Sequence, residues 1–292
     1  MAVLVDSSSR ILIQGITGPT GRAYAHRMIA HGTPLVGGVA PGRRGESVEG
    51  VPVFDNVEEA IAATGADSML SAVRHSLAMG AALEALEAGV RLLVVYTENV
   101  PLHDAIRMRA YARARGARLL GPNSAGVISP GKANLADLND ANVQPGRIGI
   151  VSKSGTLTYE VIDDLQARGF GESSVVCLGG DPVLGSTYAD ILPLFEADEE
   201  TDLIVLIGEP GGRLEYEAIA AVKGMAKPVV AYIAAQHAPA EKRMGHAGAI
   251  YDRGDATAAA KLAAFRAAGC EAVGRVTEVA DAVERALRPS RA

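Results

Sequence analysis

The sequence predicts two successive α/β domains, each built on a mainly parallel sheet. Three observations lead to that expectation. Short apolar runs alternate with longer Ala-rich segments of helical period, and this alternation favours parallel strands joined by right-handed crossovers. Apolar residues make up 48% of the chain while aromatics supply only 4% and Trp none. The cores must therefore be filled by Val, Ile, Leu and Ala, as in a parallel sheet covered by helices. Finally, the 33 glycines fall in short turns after apolar runs rather than in repeats, which argues against low-complexity disorder.

Taken in order, the first series has strands over 10–14 "RILIQ", 34–39 "PLVGGV", 68–73 "SMLSAV", 91–96 "RLLVVY" and 117–120 "ARLL". Helical periodicity falls between them, over 20–31, 56–64, 78–88 and 102–115. The stretch 121–147 is rich in turn chemistry, with "GPN", "SPG" and "QPG", and reads as a junction. A second series follows, with strands over 147–151, 174–178, 203–207, 228–233 and 271–274, and helices over 155–168, 187–197, 213–224, 255–268 and 277–287. The expected domains are 1–121 and 122–292.

Composition narrows the function classes. The formal net charge is −6 with no basic stripe, so nucleic acid is not an expected partner. Two cysteines far apart, Cys177 and Cys270, form neither a disulfide framework nor a metal-ligand spacing. They suit a reducing cytoplasm. No signal-peptide pattern is expected at "MAVLVDSSSRILIQG". No apolar run approaches the ~18 residues of a membrane span.

Both series open on a strand, a small-residue turn and a helix, which aims a helix N-terminus at the carboxyl edge of a sheet, where an anion is favoured. In the first, Gly15, Gly18 and Gly21 are spaced G-x-x-G-x-x-G, with Thr17 and Thr20 among them. That spacing is compatible with a dinucleotide-like ligand and also with a plain tight turn. The next strand ends in "GGVAPGRRG", putting Arg43 and Arg44 where a nicotinamide-dinucleotide site would carry an acid. A phosphorylated ribose, as in NADP or coenzyme A, fits two arginines better, unless they are simply solvated. In the second series, "SKSGTLTYE" gathers Ser152, Ser154 and Thr156 around Gly155. These residues would hold a phosphate or carboxylate, or merely cap the helix.

Residues 244–249, "MGHAGA", place His246 between two glycines. A neutral imidazole is a good nucleophile, and a glycine-flanked loop would let it move between a phosphoryl donor and an acceptor. Glu209, in "LIVLIGEPGG" at a strand end, is a candidate to orient it. A turn histidine without a role is the alternative reading from chemistry alone.

The segments "GITGPTG", "GGVAPGRRG", "GPNSAGVISPG", "GIVSKSGTLTYE", "GGDPVLGS", "IGEPGG" and "RMGHAGAI" resemble, in order and spacing over nearly the whole chain, the α-subunit of succinyl-CoA synthetase. The resemblance implies a Rossmann-like CoA-binding domain followed by a flavodoxin-like ligase domain. It implies that His246 is the phosphohistidine and Glu209 its partner. It further implies that Thr17, Gly18, Pro19, Thr20, Arg43, Tyr96, Thr97 and Glu98 contact coenzyme A, and that Asn123, Ser154, Gly155, Thr156 and Tyr159 line the substrate and phosphate site, with no resident metal. Its expected partner is an ATP-grasp β-subunit, in an αβ or α2β2 complex, carrying ATP or GTP with Mg2+; a small carboxylic acid is the expected substrate.

Four segments depart from the family's usual form: "SAVRHSLA" at 71–78, "TENVP" at 97–101 in place of TEGIP, "GPNSAG" in place of GPNCPG, and "ANLADLNDANVQPG" at 133–146. They lie where CoA or the acyl pocket is expected. A ligase for a non-succinate acid such as malate, or a CoA-binding regulatory protein without ligase activity, is the alternative they raise. An NADP oxidoreductase is a third reading, weakened by the lack of a Tyr-x-x-x-Lys in the first domain.

Overall fold

The structure is a computed structural model and describes residues 2–237, 246, 249 and 254–288. Most of the expected histidine loop, including Arg243 and the glycines beside His246, lies outside the described residues.

The first sheet is built from β1 (Ile11–Gln14), β2 (Leu35–Val39), β3 (Ser47–Val48), β4 (Val51–Phe54), β5 (Ser68–Ser71), β6 (Leu92–Val95) and β7 (Arg118–Leu120), in the order β3-β4-β2-β1-β5-β6-β7. All pairs are parallel except the small β3–β4 hairpin. Leaving β3 aside, this is the doubly wound order in which the chain reverses direction between β1 and β5. One face is covered by α1 (Pro19–Ala30), through Tyr24, Ala25 and Met28. The other carries α2 (Val57–Thr64), α3 (His75–Glu87) and α4 (Leu102–Ala114). Because both faces are covered, β1, β5 and β6 are buried at every position, which explains the apolar run of β6 and the apolar centres of β1 and β5.

The second sheet has β8 (Gly126–Ser129), β9 (Ala133–Ala136), β10 (Pro145–Ser152), β11 (Glu172–Cys177), β12 (Leu203–Gly208), β13 (Val229–Ile233) and β14 (Glu271–Val273), in the order β14-β13-β12-β10-β11-β8-β9. Its five parallel strands follow the flavodoxin-like order, with the switch at β10. Helices α5 (Gly155–Gln166) and α9 (Val279–Leu287) cover one face. On the other lie α6 (Tyr188–Ala197), α7 (Leu214–Val222) and α8 (Ala258–Ala267). Local signals set the helix starts: Asn56 accepts from Glu59 N at 2.9 Å for α2, and Thr257 from Ala260 N at 3.1 Å for α8.

The stretch 121–147 is more than a junction. It forms the antiparallel hairpin β8–β9, and β8 pairs antiparallel with β11, extending the second sheet. β9, built from Ala, Asn and Leu, lacks the β-branched signature of a strand, and β8 is only four residues long. β3 has two residues, and β4 carries Pro52 between its valines, which weakens its signal. Elsewhere the expected elements are present, several shortened by one to three residues at an end.

The two sheets are joined by direct bonds. Arg27 on α1 donates to the carbonyls of Asp137 at 3.0 Å and Ala136 at 3.1 Å, and Val3 N donates to Ser174 Oγ at 3.1 Å. Gly121 N donates to Leu178 O at 2.8 Å, and Asn123 N to Thr97 O at 2.9 Å. The carboxyl ends of β6 and β11 are thereby held together. Cys177 is buried and Cys270 half-buried, and both are free thiols.

Candidate active site

At the carboxyl edge of the first sheet, β1 runs through Gly15 into α1. Gly15 has φ +83°, and a Cβ on Gly21 would lie 2.3 Å from the Gly15 carbonyl oxygen. Only glycine fits there, so the helix starts hard against the strand end. Gly18 is the N-cap of α1 and supplies no side-chain cap, and Pro19 follows it. The first-turn amides thus lack a protein acceptor from a capping side chain, an arrangement suited to a diphosphate. Thr17 and Gly18 are half-buried at this turn, while Pro19 and Thr20 are exposed.

Arg43 lies in the loop after β2. Its backbone N donates to Asp55 Oδ1 at 3.1 Å, and its exposed guanidinium forms a two-point contact with Glu46, one bond being 2.8 Å. Nη1 is not engaged by Glu46 and stays open to a ligand phosphate. Arg22, which sequence reasoning passed over, also faces this mouth; its Nε donates to Thr17 O at 3.1 Å, and its charge acts on Glu46.

Past β6, Thr97 Oγ1 donates to Val73 O at 2.5 Å, and the Tyr96 ring stands edge-on to Tyr24 with centroids 5.3 Å apart. Glu98 is exposed. Asn99 has φ +60°, a left-handed position that Asn adopts more readily than most non-glycine residues. The TEGIP-to-TENVP departure therefore preserves the turn.

Three strand ends of the second sheet converge on His246. Glu209 follows β12, and its Oε2 lies 2.7 Å from His246 Nδ1; its Oε1 lies 2.7 Å from Lys153 Nζ at the end of β10. Both Glu209 and Lys153 are buried. Burial pushes the Glu209 carboxyl up, but His246 and Lys153 outweigh it and hold the group below its ordinary value. Glu209 is therefore a carboxylate at neutral pH. The third strand end is β11: a Cβ on Gly180 would lie 2.7 Å from His246 Cδ2 and 3.0 Å from Nε2. The imidazole rests on the bare backbone of Gly180, with Nδ1 committed to Glu209.

Behind Glu209 lies a wholly buried pair. Lys261 Nζ donates to Glu215 Oε2 at 2.5 Å, to the Glu209 carbonyl at 2.8 Å and to the Gly211 carbonyl; Glu215 Oε1 accepts from Glu209 N at 3.2 Å. The pair grips both backbone polar groups of Glu209. Sequence reasoning missed Lys153, Lys261 and Glu215. The signal for Lys261 is its isolation within "AAAKLAAF", where a lone charge on an apolar face needs a buried partner.

The turn from β10 into α5 is ordered by its own hydroxyls. Ser152 Oγ donates to Ser154 O at 2.9 Å and accepts from Ser154 N at 3.0 Å, while Ser154 Oγ accepts from Leu157 N at 3.3 Å. Ser154 is thus an N-cap, and the Gly155 and Thr156 amides have no intrahelical acceptor. Thr156 is exposed and open to a ligand.

Asn123 has φ +57°; its Nδ2 donates to Asp181 Oδ1 at 3.2 Å, and its carbonyl accepts from Gly180 N at 3.0 Å. The Tyr159 hydroxyl accepts from Asn139 N at 2.8 Å and donates to Asp137 O at 3.2 Å, so it organises the turn after β9. Ser124 Oγ donates to Cys177 O at 2.6 Å and accepts from Gly126 N at 2.9 Å. Two further departing segments, "GPNSAG" and 133–146, are thus held by local hydrogen bonds. Arg74 and His75, at the start of α3, are exposed at the first sheet's edge.

Two family models match the chain. Residues 6–99 match the family model of the CoA binding domain, and residues 151–270 match that of CoA-ligase. The chain is 47% identical to succinate–CoA ligase [ADP-forming] subunit alpha 1 of Archaeoglobus fulgidus, over 98% of this chain and 99% of that protein. It is 43% identical to the corresponding alpha subunit of Aquifex aeolicus, over 99% and 95%. Among solved structures, ATP citrate lyase from Methanothrix soehngenii, in complex with citrate and coenzyme A, superposes with a TM-score of 0.87 at 26% identity. That match covers 99% of this chain but 52% of the lyase chain, so the chain spans about half the length of that protein.

Proposed function

Because the chain belongs to the α-subunit family of succinate–CoA ligases, we propose that it is the phosphoryl-carrying subunit of an acid–CoA ligase. It works with a β-subunit of ATP-grasp type in the cytoplasm, and its reaction is carboxylate + CoA + NTP ⇌ acyl-CoA + NDP + phosphate. The observation that carries this reading is the 2.7 Å contact between His246 Nδ1 and Glu209 Oε2, which leaves Nε2 as the nucleophile. No helix among the described residues is long and apolar enough to cross a membrane.

The chemistry follows from that contact. The Nε2 lone pair attacks the terminal phosphorus of the nucleotide bound by the β-subunit, and the NDP leaves. Positive charge develops on the ring, and Glu209, ionised and fixed, stabilises it through Nδ1–H. Lys153 keeps Glu209 charged and its carboxylate oriented. A carboxylate oxygen of the acid then attacks the phosphorus, giving an acyl phosphate and free His246. The α5 amides of Gly155 and Thr156, near the ends of the same strands, suit the phosphoryl oxygens. The CoA thiol finally attacks the acyl carbon and expels phosphate. Each step exchanges one activated bond for another, so no step meets the barrier of direct condensation.

Coenzyme A fits the first sheet's edge. The close approach at Gly15–Gly21 and the uncapped α1 N-terminus suit its diphosphate, while Arg22 and Arg43 suit its ribose phosphate. Because the Asn99, Ser124 and 133–146 departures are absorbed by local structure, a short dicarboxylate such as succinate is the first substrate to test. The purified complex with its β-subunit, given succinate, CoA, ATP or GTP and Mg2+, is expected to form a CoA thioester dependent on every component. A complex that forms none with any short mono- or dicarboxylate would refute the reading.

A further inference from the structure

One buried carboxylate in the site has no part in the phosphoryl relay described above. Asp181 follows Gly180 in the loop after β11 and is 6% exposed. Its Oδ1 accepts from Asn123 Nδ2 at 3.2 Å. The Asn123 backbone bonds on one side to Gly180 N and on the other to Thr97 O. The loops after β6 and β11 are thus locked together around this carboxyl. Its titratable neighbours are Glu98, from the loop after β6, and His246. No Lys or Arg among the described residues forms an ion pair with it.

The position matters because the two half-sites must meet there. On the ligase reading, CoA lies along the α1 turn and the Tyr96–Glu98 segment, and the acyl phosphate forms at His246. The thiol then arrives between Glu98 and His246. A free thiol has a reference pKa of ~8.5 and is mostly protonated at neutral pH, so its attack on the acyl carbon needs a base. Burial, followed by the charge on Glu98, raises the Asp181 carboxyl above its ordinary value, against Asn123 and His246. A carboxylate of raised proton affinity is a closer match to a thiol.

We propose that Asp181 is the general base of the acyl-transfer step, taking the proton from the CoA thiol as sulfur attacks. The assignment rests on the ligase reading and deepens it. In the step, the S–H bond breaks and its electron pair forms the S–C bond. The C–O bond to the phosphoryl group breaks, and its pair leaves with phosphate. The proton sits on Asp181 and then passes to the departing phosphate, restoring the carboxylate. In reverse, the protonated Asp181 gives its proton to the leaving thiolate.

The test compares wild type, Asp181→Asn and Asp181→Glu, each as the complex with its β-subunit. Three quantities are read: labelled phosphate on His246, acyl hydroxamate trapped with hydroxylamine without CoA, and CoA thioester formation from neutral to alkaline pH. For D181N, the first two should stay within a few-fold of wild type, which also reports an intact fold. Thioester formation should fall about 10²–10⁴-fold at neutral pH. The deficit should shrink by about tenfold per pH unit as the thiol ionises unaided, and D181E should recover part of the rate. The assignment is overturned if D181N makes thioester at the wild-type rate, if all three quantities fall together, or if the deficit does not change with pH. A wild-type complex that makes no thioester overturns the ligase reading, and this assignment with it.

Discussion

Glu209 divides its two carboxylate oxygens between a base and a cation: Oε2 lies 2.7 Å from His246 Nδ1 and Oε1 lies 2.7 Å from Lys153 Nζ. One buried anion thus fixes the nucleophile's tautomer and is itself kept ionised. As the carboxyl is held below its ordinary value, it contributes to stability at pH values above the unfolded carboxylate pKa. That contribution is lost only as pH falls through the lower folded value.

Glu209→Gln keeps the shape and removes the charge. The rate of His246 phosphorylation, followed by quenched-flow labelling, is expected to fall about 10²-fold or more. CoA affinity, measured by calorimetry, should not change, because Glu209 lies at the edge of the other sheet.

The Lys261–Glu215 pair is wholly buried and grips the Glu209 backbone. Lys261→Met alone leaves Glu215 as an unpaired buried charge and is expected to cost about 3–5 kcal/mol in urea unfolding. The double variant K261M/E215L should recover much of that loss in stability. It should not recover phosphorylation, since the grip on Glu209 stays broken.

Gly180→Ala places a methyl group 2.7 Å from the His246 ring. The imidazole must move off the loop and away from Glu209. Phosphorylation should slow by at least about tenfold, which corresponds to ~1.4 kcal/mol of barrier, with a melting temperature close to wild type.

Glu172, at the start of β11, is raised by burial to about 7, although Gln144 N donates to its Oε2. The unfolded chain loses this proton at lower pH than the folded protein does. Stability should therefore decline as pH rises from the ordinary carboxylate range to about 7, and level off above it. Glu172→Gln should remove that decline and stabilise the protein above neutral pH by roughly 1–3 kcal/mol, measured by denaturation at several pH values.

The parallel core of both sheets was legible in the sequence because doubly covered strands, such as β1, β6 and β12, must be apolar at nearly every position. Hairpins β3–β4 and β8–β9 were not, since edge strands of two to four residues need little β-propensity. Within the site, Glu209 and His246 were legible from their strand-end and glycine-flanked contexts. Lys153, Asp181, Glu215 and Lys261 were not, because each acquires its role from a partner at least six residues away in the chain or from a neighbouring strand end. The Tyr159 hydroxyl is bound to two backbone groups of the turn after β9, a contact that no spacing rule reveals.

Transfer of the nucleotide's terminal phosphate to His246 is the most direct measurement. The complex with its β-subunit, incubated with Mg2+ and nucleotide labelled on that phosphate, should carry an acid-labile, base-stable label on His246. NDP, or the acid together with CoA, should discharge it, and His246→Asn should abolish both label and turnover. An unlabelled wild-type chain, or an H246N complex that still makes thioester, would contradict the account.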